Sequence, residues 1–255
     1  MRSLVSAELL KLRSTRSAWI PLAAALAAAV LAVIANTSAG HAGGPPLSPA
    51  ALPELLRASG GQLVDGAVLL AWIVLSAGEF RHRTSVTTFL GEPNRLRVVS
   101  AKLLSAMLTG AAVGLLAEAL GAATSAAALS AHHVPLAWNH PGVLGAVVTV
   151  PLLAALFGAL GVGLGLLLRN TAAAVGLALM WAFVVEGIIP ALTPEPGIVR
   201  WLPEAAANAV LHGASPAAAA LPAGVALTVL AGYAAVLASA GAALTARREI
   251  GTASG

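Results

Sequence analysis

The chain contains no cysteine, which excludes a disulfide framework, a thiolate metal site, an iron-sulfur cluster and a cysteine nucleophile. Charge is almost as scarce. Only 9% of the 255 residues are charged, against roughly 25% in an ordinary soluble domain. With 58% hydrophobic residues and a mean hydropathy of +0.89, a soluble globular protein is excluded. Aromatic residues make up 4% and form no basic stripe with interleaved rings, so the formal charge of +4 and the pI of 10.7 do not call for nucleic acid as a partner. Lysine occurs only at Lys11 and Lys102, preceded by Leu10 and Ala101. No GxxxxGK(S/T) phosphate loop is therefore present, and hydrolysis of ATP by that route needs another polypeptide. The histidines (His41, His82, His132, His133, His140 and His212) all fall in predicted loops. A haem held between helices would lack its usual ligands, and an intramembrane serine protease would lack its histidine. His132, His133 and His140 share one loop and invite a metal, but their spacing is irregular and no carboxylate is near. No two acids lie within four residues of each other, so a carboxylate cluster for magnesium diphosphate is missing. The chain is expected to be neither an enzyme nor a metal or cofactor carrier.

What is abundant is apolar sequence long enough to cross a bilayer, which asks for about 20 residues per helix. Six such stretches stand between charged segments, at residues 18–35, 60–78, 103–129, 143–168, 171–190 and 221–246. They are expected to be helices, because backbone polar groups in hydrocarbon must pair within the segment, and they lack the two-residue alternation of barrel strands. The pieces between them are too short for a water-soluble catalytic domain, so residues 1–255 form a single transmembrane domain. Basic residues set the orientation. Of the 14 lysines and arginines, 12 (Arg2, Lys11, Arg13, Arg16, Arg81, Arg83, Arg95, Arg97, Lys102, Arg169, Arg247, Arg248) fall on one side and only Arg57 and Arg200 on the other. The positive-inside rule then places both termini in the cytoplasm, in agreement with an even number of spans. Residues 1–40 also carry basic residues ahead of an apolar run, as a signal peptide does. The basic region reaches Arg16, however, and the apolar run exceeds the usual length, so the first span is expected to stay.

Residues 2–17 can form a helix with Val5, Leu9 and Leu12 on one face and Glu8, Lys11 and Arg13 elsewhere, suited to lie along the inner membrane surface. The alternative is a positive topology signal, and both can hold. The segment 79–102 reads EFRHRTSVTTFLGEPNRLRVVSAK. Val86, Phe89 and Leu90 fall at i, i+3 and i+4 and make an apolar patch on a helix too short to cross, stopped by Gly91 and Pro93. Such a patch wants a partner. Asn94 can cap a new helix in which Leu96, Val99 and Leu103 lead into the third span. The plainer reading is a loop whose arginines snorkel to lipid headgroups.

These residues bring a known family into view. The stretches AELLKLRSTRSAW, GEFRHRTSVTTFLGEPNRLRVVSAKLL, GLLLRNTAAAVG and ARREI, with the six-span layout, resemble type-2 ATP-binding-cassette (ABC) transporter permeases, in particular those of actinobacteria. The resemblance implies a permease subunit in the bacterial plasma membrane, in which two permease subunits, identical or different, form the pore and bind two cytoplasmic ATPase subunits. It implies that residues 2–17 are the connecting helix and 84–90, with Thr84, Val86, Phe89 and Leu90, the coupling helix that docks into the ATPase. Glu79, Phe80 and Arg81 would form its hinge. ATP and magnesium would be held by the ATPase, with no cofactor in this chain. Short re-entrant helices between spans five and six are implied too, which the segment 191–220 with Pro194, Pro196, Pro203 and Pro216 can supply.

Ionisable residues inside spans carry the remaining information. Between Asp65 and Glu79 lie 13 residues, about 20 Å of helix, so span two cannot cross without embedding one of them. Asp65 is expected near the outer face. Glu118 falls in the middle of span three, where a charge costs roughly 2.5–3.5 kcal/mol on an insertion scale. It is expected to face protein or water. Glu186 sits in the outer third of span five. These acids can line a substrate path or relay ions, or can serve helix packing through hydrogen bonds. Trp72 and Trp181 can line a pocket or pack, and the family places spans two and five beside the path. Gly110 with Gly114 and Gly161 with Gly165 form GxxxG pairs that permit close helix contact, within or between subunits. The functional expectation is an ATP-driven exporter of a hydrophobic or amphipathic compound working by alternating access. The alternatives are an ion-coupled transporter with Glu118 as proton carrier, and a non-transporting membrane anchor or assembly subunit.

Overall fold

The structure, a computed structural model, describes residues 1–39, 47–81, 94–192, 197–213 and 220–247. The described chain is helical between short connections: α1 (Arg2–Ser14), α2 (Arg16–Ala39), α3 (Leu52–Ser59), α4 (Gln62–Arg81), α5 (Arg95–Ala131), α6 (Pro141–Leu168), α7 (Thr171–Met180), a π turn (Trp181–Val185), α8 (Glu186–Leu192), α9 (Pro203–His212) and α10 (Ala223–Arg247). Six helical stretches are long and apolar enough to cross a membrane: Ser17–Ser38, Pro49–Phe80, Arg95–Ala131, Pro141–Leu168, Thr171–Leu192 and Ala223–Thr245. The protein is a multi-pass helical membrane protein.

The first, fourth, fifth and sixth agree with the expected spans to within a few residues at each end. The second and third are longer than expected, each for a local reason. Ahead of span two, α3 carries Leu52, Leu55, Leu56 and Ser59 on a buried face while Glu54 and Arg57 pair at 2.6 Å on the other, so a segment read as connection is an amphipathic helix. It breaks from α4 at Gly60 and Gly61, and a Cβ on Gly60 would stand 2.1 Å from Val150 Cγ1. Only glycine lets the two chains pass there. Span three begins earlier because Asn94 Oδ1 accepts the Arg97 amide at 3.1 Å, the cap expected from the sequence. The resulting 37 residues reach about 55 Å, well beyond the roughly 30 Å of hydrocarbon.

The hub of the bundle is α6, which packs on α4, α5 and α10. Its glycines explain how. A Cβ on Gly158 would meet Ala106 O at 2.8 Å on α5, one on Gly161 would meet Leu69 O at 2.4 Å on α4, and one on Gly163 would meet Leu237 Cβ at 2.7 Å on α10. Gly165 lies against Ser76 in the same way, while Gly110 and Gly114 of α5 lie against Ala154 and Pro151 of α6. Both GxxxG pairs are thus consumed within one chain. Close backbone approach lets dispersion contacts hold helices together where no hydrophobic driving force separates lipid from protein.

In α1 the faces differ from expectation. Leu12 and Glu8 are buried and Lys11 is half-buried, while Leu9 and Leu10 are 37% and 66% exposed. The charges turn inward because partners wait for them there.

Candidate functional site

Four side chains from three helices meet at the end of the bundle that holds α1. Lys102 Nζ, near the start of α5, donates to Glu8 Oε2 of α1 at 2.8 Å and to Glu79 Oε1, near the end of α4, at 2.7 Å. Lys11 Nζ donates to Glu8 Oε1 at 2.7 Å and to Glu79 Oε1 at 2.9 Å. The side chain of Lys102 is 2% exposed, that of Glu8 6% and that of Glu79 12%. Two positive and two negative charges cancel, so the cluster can be removed from water without leaving a net charge. Burial pushes the Glu8 carboxyl up, but the ammonium groups of Lys102 and Lys11 outweigh it and hold Glu8 below its ordinary range. Burial likewise lowers Lys11, and Glu79 and Glu8 more than reverse that, leaving Lys11 raised.

Local sequence explains the convergence. Glu8 and Lys11 are three residues apart and share one face of α1. Val98, Val99 and Ala101, buried beside Lys102, turn that lysine inward on α5. A second set of contacts closes the same end. Arg169, in the left-handed conformation (φ 54°) that ends α6, lies 4.7 Å from the centre of the Phe80 ring and donates to Thr245 Oγ1 at 3.3 Å. Arg95 donates to the Thr245 carbonyl on α10. The ends of α4, α6 and α10 and the start of α5 are therefore tied to one another at this end.

Residues 82–93 connect two helices of this end, with Glu79 and Phe80 on the helix before them and Asn94, Arg95 and Lys102 at the start of the helix after them. Thr84, Val86, Phe89 and Leu90 lie outside the described residues, and Arg81 closes α4. Glu8, Lys11 and Lys102 were not singled out as a site by sequence reasoning. The available signal was that both lysines of the chain fall on one side, together with two of its few acids.

The acids and tryptophans considered for a substrate path do not all share one cluster. Trp72 is buried and its Nε1 donates to Thr109 Oγ1 on α5 at 2.9 Å, tying α4 to α5. Glu118 is buried, and neither carboxylate oxygen has a hydrogen-bonding partner among the described residues. Asp65 is buried in the first turn of α4. Trp181 and Glu186 are brought together by the π turn, with Trp181 Nε1 donating to Glu186 Oε1 at 2.7 Å. Glu186 Oε2 accepts the backbone N–H of Glu204 at 2.6 Å, which ties α9, a short helix within the segment 191–220, to span five. Pro194, Pro196 and Pro216 lie outside the described residues. Of the histidines, His140 caps α6 by accepting the Gly142 amide at 3.1 Å, and His212 ends α9 rather than lying in a loop.

The arrangement at the α1 end is an ionic joint that ties three helices together. No family model matches the chain, and no curated protein matches it.

Proposed function

We propose that the chain is a permease subunit of an ATP-driven ABC exporter, which moves a hydrophobic or amphipathic compound across the bacterial plasma membrane together with a second permease copy and separate cytoplasmic ATPase subunits. The observation that carries this reading is the buried Glu8–Lys11–Glu79–Lys102 joint. It ties α1 to both helices that frame loop 82–93, so a push on that loop is delivered to spans two and three and to α1 as one body. The excess of arginine and lysine at this end supports a cytoplasmic setting for it. ATP and magnesium belong to the partner on this reading, and closure of the ATPases drives residues 84–90 toward the membrane, turning the pore from inward-open to outward-open.

Replacing Phe89 with Asp puts a charge on the apolar patch expected to enter the ATPase. The variant should still insert in the membrane and lose co-purification of the ATPase, its Kd rising tenfold or more, about 1.4 kcal/mol of docking energy, with a fall in ATPase rate. Unchanged co-purification and rate would remove the proposal.

One observation favours a second reading. Glu118 keeps a carboxyl group in mid-span with both oxygens unpartnered among the described residues, the environment in which a carboxyl binds and releases a proton. On that reading the chain is an ion-coupled transporter.

A further inference from the structure

Span five is the outlier of the bundle. Only 6% of its apolar window is buried inside the chain, against 61% for α6. Its first half, α7, leans on α4, whereas α8 packs chiefly on the neighbouring π turn and the short turn Val199–Trp201. Something must hold its far end. The holding contact is Glu186, whose Oε1 accepts from Trp181 Nε1 at 2.7 Å and whose Oε2 accepts from the Glu204 amide at 2.6 Å. The Ala205 amide supports the same carboxylate.

The sequence leaves a place for this contact. The N-cap position of α9 is Leu202, which offers no side-chain acceptor, so the free N–H groups of that helix are satisfied from span five instead. A carboxylate at a helix N-terminus also gains from the helix dipole. The π turn sets the aim. It bonds the Glu186 amide to the Trp181 carbonyl, five residues back. Without the extra residue, Glu186 would be turned by about 100° around the helix and would miss α9. Helix α9 itself is fixed, with Ala206, Ala207, Ala209, Val210 and Leu211 buried against α6 and α10.

A second carboxylate crowds the contact. Glu204 stands in the first turn of α9, where it faces Glu186 of α8 and Asp65 of α4, with Asn208 of its own helix donating at 3.4 Å. The other charges at this end are engaged elsewhere: Arg57 pairs with Glu54 at 2.6 Å and Arg200 lies 5.6 Å from the centre of the Trp201 ring. No described cation offsets the three acids.

We propose that Glu186 and Glu204 form a proton-controlled latch that clasps the far end of span five to α9 when Glu204 is neutral and loosens it when Glu204 is charged. Burial, and then the neighbouring charge of Glu186, push the Glu204 carboxyl up to about 7 from its ordinary 4.5. In the released state Glu204 returns toward the ordinary value. The clasped state therefore binds the proton more tightly, and clasping weakens as pH rises from about 4.5 to about 7 and is level above that. The device is independent of what drives transport, since it requires only that span five move relative to α9.

The absence of native cysteine makes the test direct. Spin labels at Ile188→Cys on α8 and Val225→Cys on α10, both at exposed positions, report the separation of span five from the α9–α10 unit. The full chain is reconstituted in lipid vesicles with the same pH on both sides. A single short distance is expected at pH 5, with a longer population growing to a plateau near pH 7.5. Glu204→Gln should hold the short distance at every pH, and Glu186→Ala should show the longer one at every pH. A distance distribution indifferent to pH, or a Glu204→Gln variant with the parent's pH response, would overturn the latch.

Discussion

Lys102 shows what a single side chain is asked to do in this fold. Its ammonium sits 2% exposed between Glu8 and Glu79, so cutting it back strands a buried carboxylate and removes the link between α1 and α5. Lys102→Met is expected to cost at least about 3 kcal/mol, read as a drop in the unfolding midpoint of the detergent-solubilised protein. The double variant Lys102→Met/Glu8→Met should lose markedly less than the sum of the two single changes, because the stranded charge goes with it. If the losses simply add, the joint is not a coupled unit. The pH window follows from the two shifted groups. Glu8 lies below its ordinary 4.5, so its contribution is present above that value and fades as pH falls through the lower folded value. Lys11 lies above its ordinary 10.5, so its contribution is present below that value and fades as pH rises through the higher folded value. The joint's own contribution should be level between these limits, and its Glu8 edge should vanish in Glu8→Gln.

Among the elements, close packing divides the glycines into two kinds. A Cβ on Gly110 would stand 2.3 Å from the Ala154 carbonyl oxygen, a backbone atom that cannot turn aside, so Gly110→Val should force α5 from α6 and prevent recovery of folded protein. Gly176 on span five meets nothing within 4 Å. Gly176→Ala should be tolerated or gain about 0.5–1 kcal/mol from helix propensity alone. Size-exclusion profiles and unfolding midpoints of the two variants check the contrast, and equal behaviour would mean that the close α5–α6 contact is not formed. The sequence announces elements of this kind unevenly. Long apolar runs and the Asn94 cap are legible because bilayer thickness and capping act locally. Helix α3 is not, because eight residues with one buried face look like a punctuated loop until the bundle that covers them is known, and a helix in the region of α9 is expected only through the family resemblance. The same limit hides the ionic joint, whose partners are separated by 68 and 94 residues. It also hides the inward turn of Glu8 in α1, which is buried with Leu12 while Leu9 of the expected apolar face is exposed.

For the whole molecule, the two proposed readings differ in their energy source. Glu118→Gln separates the two readings. In sealed vesicles holding the purified chain and a pH-sensitive dye, an ion-coupled transporter should admit protons under an imposed potential and stop doing so in the variant. The ABC reading expects no chain-dependent proton entry in either protein. The burial of Glu118 was foreseeable from its place in the sequence, but its lack of partners was not, because that depends on which faces of α2, α3 and α6 surround it. The joint has a further consequence for how the molecule sits in its bilayer. With both lysines enclosed in one knot, the other 12 basic residues are all arginine, whose guanidinium keeps its proton at any pH a cell meets and grips phosphate with two hydrogen bonds. Those arginines that meet the lipid surface are thus moorings insensitive to acidity.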